Sequence, residues 1–126
     1  MSGTADGSSA PRAVDGPDQA SSADPAAAEQ AVRALRAAGR LAEATELVGQ
    51  LGPYGVADGD DATVSLGAAV LEAYADQLAP VDPRAADVLY RRAAGEQRSF
   101  AAAATSGGEG IARMADADRI DAKRRA

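Results

Sequence analysis

The sequence contains no cysteine, no histidine and no tryptophan. Without cysteine the chain can form no disulfide, no thiolate metal site and no cysteine nucleophile. Without histidine it also lacks the commonest metal ligand and the usual general base near neutral pH. Lys123 is the only lysine, so Schiff-base chemistry has a single candidate residue. We therefore expect a non-enzymatic protein with no catalytic residues, no metal site and no cofactor.

Long apolar runs and an excess of positive charge are also missing. No stretch approaches the ~20 apolar residues that a membrane-spanning helix needs, and the first residues show no basic start followed by an apolar stretch, as a signal peptide would. The net charge is −6 at pH 7, which disfavours nucleic acid and anionic membranes because both attract positive charge. These features predict a soluble, cytoplasmic protein that binds neither nucleic acid nor membranes.

The residues that are abundant favour helices. Alanine, which has the highest intrinsic helix propensity, makes up about a quarter of the chain. Arginine supplies all but one of the basic residues and asparagine is absent, a usage typical of a GC-rich genome such as that of an actinobacterium. Residues 1–24 are mostly Ser, Gly, Ala, Asp and Pro, and after the initial methionine Val14 is the sizeable apolar group, so they cannot offset their ordering entropy. We predict a disordered tail over 1–24 and a helical domain over 25–126.

Local start and stop signals divide this domain into five helices. Asp24-Pro25 and Asp82-Pro83 pair a good N-cap with a proline suited to a first helical turn, and Gly39 is a natural C-terminal stop. Asp60 or Asp61 is expected to cap the third helix, and the Ser-Gly-Gly-Glu-Gly stretch at 106–110 to separate the last two. The predicted helices are 25–38, 41–51, 62–79, 83–105 and 111–123.

Each predicted helix has an apolar stripe at helical spacing. The last helix, for example, carries Ile111, Met114, Ala117 and Ile120. The chain is therefore all-α, with two antiparallel helical hairpins, 25–51 and 62–105, followed by a closing helix. They can be arranged as a solenoid-like stack or as a small helical bundle.

A weak internal repeat connects the two hairpins. Ala44, Leu47, Val48 and Leu51 recur 42 residues later as Ala86, Leu89, Tyr90 and Ala93. The segment 39–44, Gly-Arg-Leu-Ala-Glu-Ala, resembles the turn of a tetratricopeptide repeat. The stretch 89–93, followed by 110–113, resembles the second helix of one such repeat running into the next. The family's Trp-Leu-Gly-Tyr pattern is missing and the spacing departs from 34 residues. The resemblance covers residues 25–123 and implies stacked helical hairpins that bind other proteins.

Several motifs with possible chemistry have simpler structural explanations. In a calcium loop counted from Asp61, Thr63, Ser65 and Glu72 fall at usable ligand positions. Leu66 stands where glycine is required, however, and the segment is predicted to be helical, so the aspartates of 58–61 are better explained as helix caps. Glu72 and Asp76 lie one helical turn apart, but nothing around them in sequence indicates the split pKa values of a hydrolytic pair. The glycines at 107–110 follow no predicted strand and carry no lysine, so a phosphate loop is unsupported.

The remaining candidate surface is basic and partly aromatic. Tyr54 lies in a Gly/Pro loop, and the fourth predicted helix carries Arg84, Arg91, Arg92 and Arg98. A partner-binding surface and a solvated helix face both fit this pattern. Residues 25–126 contain only 22 large apolar residues (Val, Leu, Ile, Met, Phe and Tyr), and so lean a core favours stabilisation by another protein or by a second copy. We predict a helical protein–protein interaction or adaptor module, with a small-molecule-binding or regulatory domain containing an inter-helix pocket as the alternative.

Overall fold

The computed structural model describes residues 24–125, which form five α-helices. Their bounds are α1 (Pro25–Ala37), α2 (Leu41–Leu47), α3 (Leu66–Leu78), α4 (Pro83–Ala102) and α5 (Gly107–Arg124), with a 3-10 turn at Val48–Gln50. Over this range no β-strand forms, and an isolated antiparallel bridge joins Ala57 to Ser65. None of the five helices combines the length and apolar character that crossing a bilayer requires. The all-α prediction is confirmed, whereas the predicted tail lies outside the described residues except for Asp24.

The predicted start signals of α1 and α4 are confirmed. The side chain of Asp24 accepts a hydrogen bond from the Ala26 N–H at 3.0 Å, and that of Asp82 accepts one from the Ala85 N–H at 3.1 Å. Each cap is followed by a proline at the first helical position, where a missing N–H costs nothing.

The turn between α1 and α2 also forms as predicted. Gly39 adopts φ = 76°, in the left-handed region. The N–H of Arg40 donates to the carbonyl of Leu35 at 2.8 Å, and the N–H of Gly39 donates to the carbonyl of Arg36 at 3.0 Å. This pair of bonds is a Schellman motif, which satisfies carbonyls at the end of α1 and reverses the chain into α2.

The start of α3 differs from the prediction. The helix begins at Leu66 and is capped by Ser65, whose hydroxyl accepts from the Ala68 N–H at 3.3 Å. Asp61 does not cap it, because its carboxylate accepts from the N–H and hydroxyl of Thr63 at 2.8 and 2.6 Å. The predicted first turn is therefore part of a longer loop, 51–65.

The junction between α4 and α5 also differs from the prediction. Helix α4 ends at Ala102 rather than near Thr105, and α5 begins at Gly107 rather than at residue 111. Ser106 caps α5 by accepting from the Glu109 N–H at 3.1 Å, while the Glu109 carboxylate accepts from the Thr105 N–H at 3.2 Å. This arrangement is close to a capping box, so the glycine-rich stretch opens a helix instead of separating two.

Consecutive helices pack against each other, and α4 lies against both α3 and α5. Ion pairs also join α3 to α5, with Arg119 donating to Glu72 at 2.7 Å and Lys123 lying 2.6 Å from the same carboxylate. Leu66 and Leu71 of α3 and Ile120 of α5 are the largest fully buried apolar side chains. The core thus runs along α3 and α4, and the outer side of the α4–α5 pair faces away from it.

Candidate functional site

Two large apolar side chains of α5 lie on the protein surface. Ile111 is 74% exposed and Met114 is 40% exposed. The sequence predicted both on one stripe with Ala117 and Ile120, which are buried. That prediction is wrong for Ile111 and Met114, because the buried face of α5 turns Arg113 toward the core in their place.

The position of Arg113 is held by contacts that an isoleucine cannot make. Its guanidinium donates to the Ala62 carbonyl at 2.9 Å and to the Phe100 carbonyl. It also stacks over the Phe100 ring, with 3.6 Å between the guanidinium carbon and the ring centroid. Glu109, at 3.3 Å, balances its charge. These contacts satisfy a buried cation and fix the rotation of α5 about its axis.

Because α5 is rotated in this way, an apolar groove forms between it and α4. We call it the α4–α5 groove; its volume is about 620 Å³. Its floor consists of small residues, its large apolar side chains are Ile111 and Met114, and its polar side chains are Arg98 and Asp118. The small residues are Ala101, Ala102, Gly107, Gly110 and Ala115.

The four arginines predicted to bind a partner lie on α4 and are all exposed, namely Arg84, Arg91, Arg92 and Arg98. Arg98 lies beside the α4–α5 groove, where it donates to Asp121 at 2.5 Å and lies 3.7 Å from Asp118. This hydrogen bond from Arg98 lowers the pKa of Asp121. Arg91 lies 3.7 Å from Asp87. The positive charge of these arginines is therefore partly neutralised within the chain.

Tyr54 lies on a different element from these arginines. It is 58% exposed in the loop before α3, between Gly52 and Gly55, which have φ values of 102° and 73°. No hydrogen bond or ion pair within residues 24–125 joins Tyr54 to α4. Arg84, Arg91 and Arg98, at intervals of seven residues, thus form one row on α4, and Arg98 at its end lines the α4–α5 groove. Arg92 lies about 100° around the helix from Arg91 and is not part of this row. Tyr54 is not joined to the row by such a contact.

A second pocket, of about 470 Å³, lies where α3 ends, α4 begins and α5 ends. Its charged side chains are already paired: Lys123 lies 3.0 Å from Asp76, and Arg124 lies 3.0 Å from Asp87. Tyr90 donates to Asp76. Burial, together with this hydrogen bond to a carboxylate, raises the pKa of Tyr90 to about 12.

Glu72 and Asp76, which stand one helical turn apart in the sequence as a candidate carboxylate pair, are instead held in ion pairs. Glu72 pairs with Arg119 and Lys123, and Asp76 pairs with Lys123. The hydrogen bond from Arg119 lowers the pKa of Glu72, which is opposite to the shift that a general acid needs. Among residues 24–125 no three carboxylates are grouped in a way that could hold a metal ion.

Sequence reasoning missed the two buried polar residues of this region, Gln97 and Arg113. Gln97 is fully buried, and its side-chain nitrogen donates to the carbonyls of Thr63 and Arg113. The available signal is positional, since Gln97 falls in helical register with Ala93 and Phe100, and Arg113 with Ala117 and Ile120. Here each of these two polar residues donates to a carbonyl of the loop before α3, Gln97 to that of Thr63 and Arg113 to that of Ala62.

Comparisons with known proteins give no assignment: no protein-family model, no curated protein and no solved structure matches this chain.

Proposed function

We propose that this chain is a non-enzymatic helical protein–protein interaction module and that the α4–α5 groove is its binding surface. The observation that carries the proposal is the exposure of Ile111 and Met114 beside a floor of small side chains. Exposed apolar side chains cost solvation free energy, and the apolar face of another helix laid in the groove would remove them from water.

The polar side chains beside the groove complement this apolar floor. Arg98 and Asp118 supply one charge of each sign, which suits a polar rim around an apolar centre. Arg91 and Arg84 continue along the same exposed side of α4 beyond the groove. We propose that this row contributes to orientation and to the rate of association, because exposed charges steer encounter more than they add affinity.

We propose, more narrowly, that the hairpins are related to tetratricopeptide repeats. The Schellman turn at Gly39 and the complete burial of Ala44 support this, since that family uses a glycine to end the first helix and a small alanine between the two helices. The short α2 and the unequal helix lengths depart from the pattern of a regular repeat.

The pocket of about 470 Å³ at the end of α5 favours a second candidate function, the binding of a small molecule. Tyr90 lines this pocket together with the paired groups Lys123 and Arg124. A ligand there has to compete with ion pairs already formed, so the α4–α5 groove is the better-supported site. A ligand that raises Tm in wild type but not in Tyr90→Phe identifies this alternative.

The interaction proposal is tested by placing a photoreactive amino acid at position 111 of the full chain in its own cells. The control position is Val81, which is 76% exposed in the turn between α3 and α4, outside the groove. We expect adducts with a defined protein at position 111 and none at position 81. Met114→Asp should abolish the adducts at position 111, because a carboxylate on the groove disfavours burial there.

Equal adducts at positions 111 and 81, or adducts at position 111 that survive Met114→Asp, would contradict the proposal. The folding of each variant is checked by circular dichroism. Ile111, Met114 and Val81 are exposed, so their replacement should leave the helical signal unchanged.

A further inference from the structure

The exposed face of α5 has a similar order of large and small side chains in both chain directions. The residues of α5 that line the α4–α5 groove are Gly107, Gly110, Ile111, Met114, Ala115 and Asp118. When the helix is reversed about the point between residues 112 and 113, the two large apolar residues, Ile111 and Met114, exchange places. The small residues Gly110 and Ala115 do the same, whereas the outer positions differ, with glycine at 107 and aspartate at 118. Such a pattern is self-complementary under a two-fold axis, which is the usual symmetry of homodimers.

Packing of two α5 helices in this antiparallel register places large side chains together and small ones together. Ile111 of one copy faces Met114 of the other, and Gly110 faces Ala115. The small pair allows close approach of the two helices. Ala101 and Ala102 of α4 also line the groove, so small side chains border the large ones on that side as well.

The charges agree with the same register. Asp118, whose side chain lies 3.7 Å from Arg98 and is still 74% exposed, falls opposite Gly107, the first residue of α5 in the second copy. A carboxylate is favourable at a helix N-terminus because the N–H groups there carry partial positive charge. Glu109, the acid of that first turn, is already paired with Arg113 at 3.3 Å. The only strong charge on this stripe of α5 is thus placed against charge of the opposite sign.

From this symmetry we propose that a second copy of this chain occupies the α4–α5 groove, as an antiparallel two-fold dimer built on Ile111 and Met114. This inference rests on the proposed function, of which it names the partner. The alternative occupants fit less well. Residues 1–23 contribute only Met1 and Val14 as large apolar groups, and an anionic partner finds Arg98 already paired with Asp121.

Disulfide trapping tests the register directly, because the natural chain has no cysteine. Full-length Ile111→Cys and Met114→Cys proteins are mixed and oxidised under mild conditions, with Val81→Cys as the exposed control. We expect the mixed 111–114 disulfide to form in excess over both homodisulfides, and several-fold faster than the disulfide at position 81. Equal rates at all three positions would overturn the proposal.

Sedimentation of wild type over about 1 μM to 1 mM protein, a range that covers weak interfaces of small area, measures the association itself. Ile111→Asp should weaken the dimer about tenfold or more, because it replaces a buried aliphatic side chain by a charge. Val81→Asp should leave the dimer constant unchanged. Added salt should not weaken the dimer, since each copy carries a net charge of −6 and salt screens their repulsion.

The two proposals fail separately. A wild-type chain that stays monomeric throughout this range overturns self-association. If position 111 still gives Met114-dependent adducts with a different protein in cells, the interaction module remains and only its partner changes. Absence of groove-dependent adducts of either kind removes both proposals.

Discussion

The side-chain oxygen of Gln97 accepts a hydrogen bond from the backbone N–H of Ser65 at 3.0 Å, across 32 residues of sequence. The amide nitrogen of the same side chain donates to Thr63 on the preceding loop and to Arg113 on α5. One buried amide therefore joins the loop before α3, helix α4 and helix α5. A buried polar group of this kind is stabilising only while all of its partners are present.

Replacing Gln97 by leucine should be strongly destabilising. The substitution keeps the side-chain volume but leaves the Ser65 N–H and the Thr63 carbonyl without their partner. Each such buried group costs about 1–3 kcal/mol, so we expect the free energy of unfolding in urea to fall by about 2–4 kcal/mol in total. Gln77→Leu, at an exposed position of α3, is the control and should change it by less than ~0.5 kcal/mol.

Hydrogen exchange of individual backbone amides tests the role of Gln97 residue by residue. In Gln97→Leu, the amides of residues 58–66 should lose protection before those of α1, because the loop loses its anchor to α4. Uniform loss of protection over all helices would show instead that Gln97 only fills volume.

The start of α3 illustrates what local sequence could not predict. Asp61 and Ser65 are both good N-caps, so composition alone does not choose between them. Ser65 caps the helix because its N–H donates a hydrogen bond to the side chain of Gln97 on α4. That contact is made only after the chain has folded. By contrast, Asp24, Asp82 and Gly39 act through neighbours in sequence, and those helix ends were predicted correctly.

The rotation of α5 was mispredicted for a related reason. Hydrophobicity ranks Ile111 above Arg113 for burial. The structure buries Arg113 because carbonyls of Ala62 and Phe100, together with the Phe100 ring, satisfy its guanidinium. These partners come from two other segments, so helical period within α5 does not identify them. The candidate groove, which exists because Ile111 and Met114 face outward, was therefore invisible in the sequence.

Gly67→Ala should destabilise the protein although it lies in a helix. An added Cβ falls 2.9 Å from Val48 Cγ1 and 3.2 Å from Glu96 Oε1. Val48 is buried and β-branched, so it has few other rotamers available. Overpacking typically costs about 1–3 kcal/mol, which exceeds the gain of at most ~1 kcal/mol in helix propensity. We expect a lower Tm, measured by circular dichroism.

Gly95→Ala is the matched control for this substitution. Gly95 lies inside α4 with no atom within 4 Å of an added Cβ, so only the helix propensity acts and stability should rise by about 0.5–1 kcal/mol. Val48→Ala combined with Gly67→Ala should recover part of the loss as a favourable coupling energy. A simple sum of the two single costs would argue against the contact.

Gly39→Ala should be destabilising for a conformational reason alone. No atom lies within 4 Å of an added Cβ, but the residue has φ = 76°. A left-handed conformation costs an L-residue about 1–2 kcal/mol, and we expect the urea midpoint to fall accordingly. Gly49→Ala, in the 3-10 turn and equally unobstructed, lacks the positive φ and should be nearly neutral. Equal effects at both positions would contradict the role of the Schellman turn.

Glu72 and Glu96 should give opposite dependences of stability on pH. The hydrogen bond from Arg119 holds the pKa of Glu72 below its ordinary value of 4.5. The ionised carboxylate therefore stabilises the fold above pH 4.5, and this contribution is lost as pH falls through the lowered pKa. Burial raises the pKa of Glu96, with Arg92 opposing the shift. The protonated carboxyl of Glu96 therefore contributes to stability at low pH, and this contribution is lost as pH rises through the raised pKa.

The comparison of Glu72→Gln with Glu96→Gln checks both signs, using the free energy of unfolding in urea from about pH 7 to about pH 2, a range that extends below the ordinary pKa of a glutamate. Glu72→Gln should be less stable than wild type at pH 7, and the deficit should shrink as the solution is acidified, because acid removes the same ion pair from wild type. Glu96→Gln should be more stable at pH 7, since a neutral amide avoids the desolvated charge, and its advantage should shrink over the same range. Other titrating groups are common to all three proteins, so differences from wild type isolate each carboxylate. A pH-independent difference for either variant would mean that the amide changes packing rather than charge.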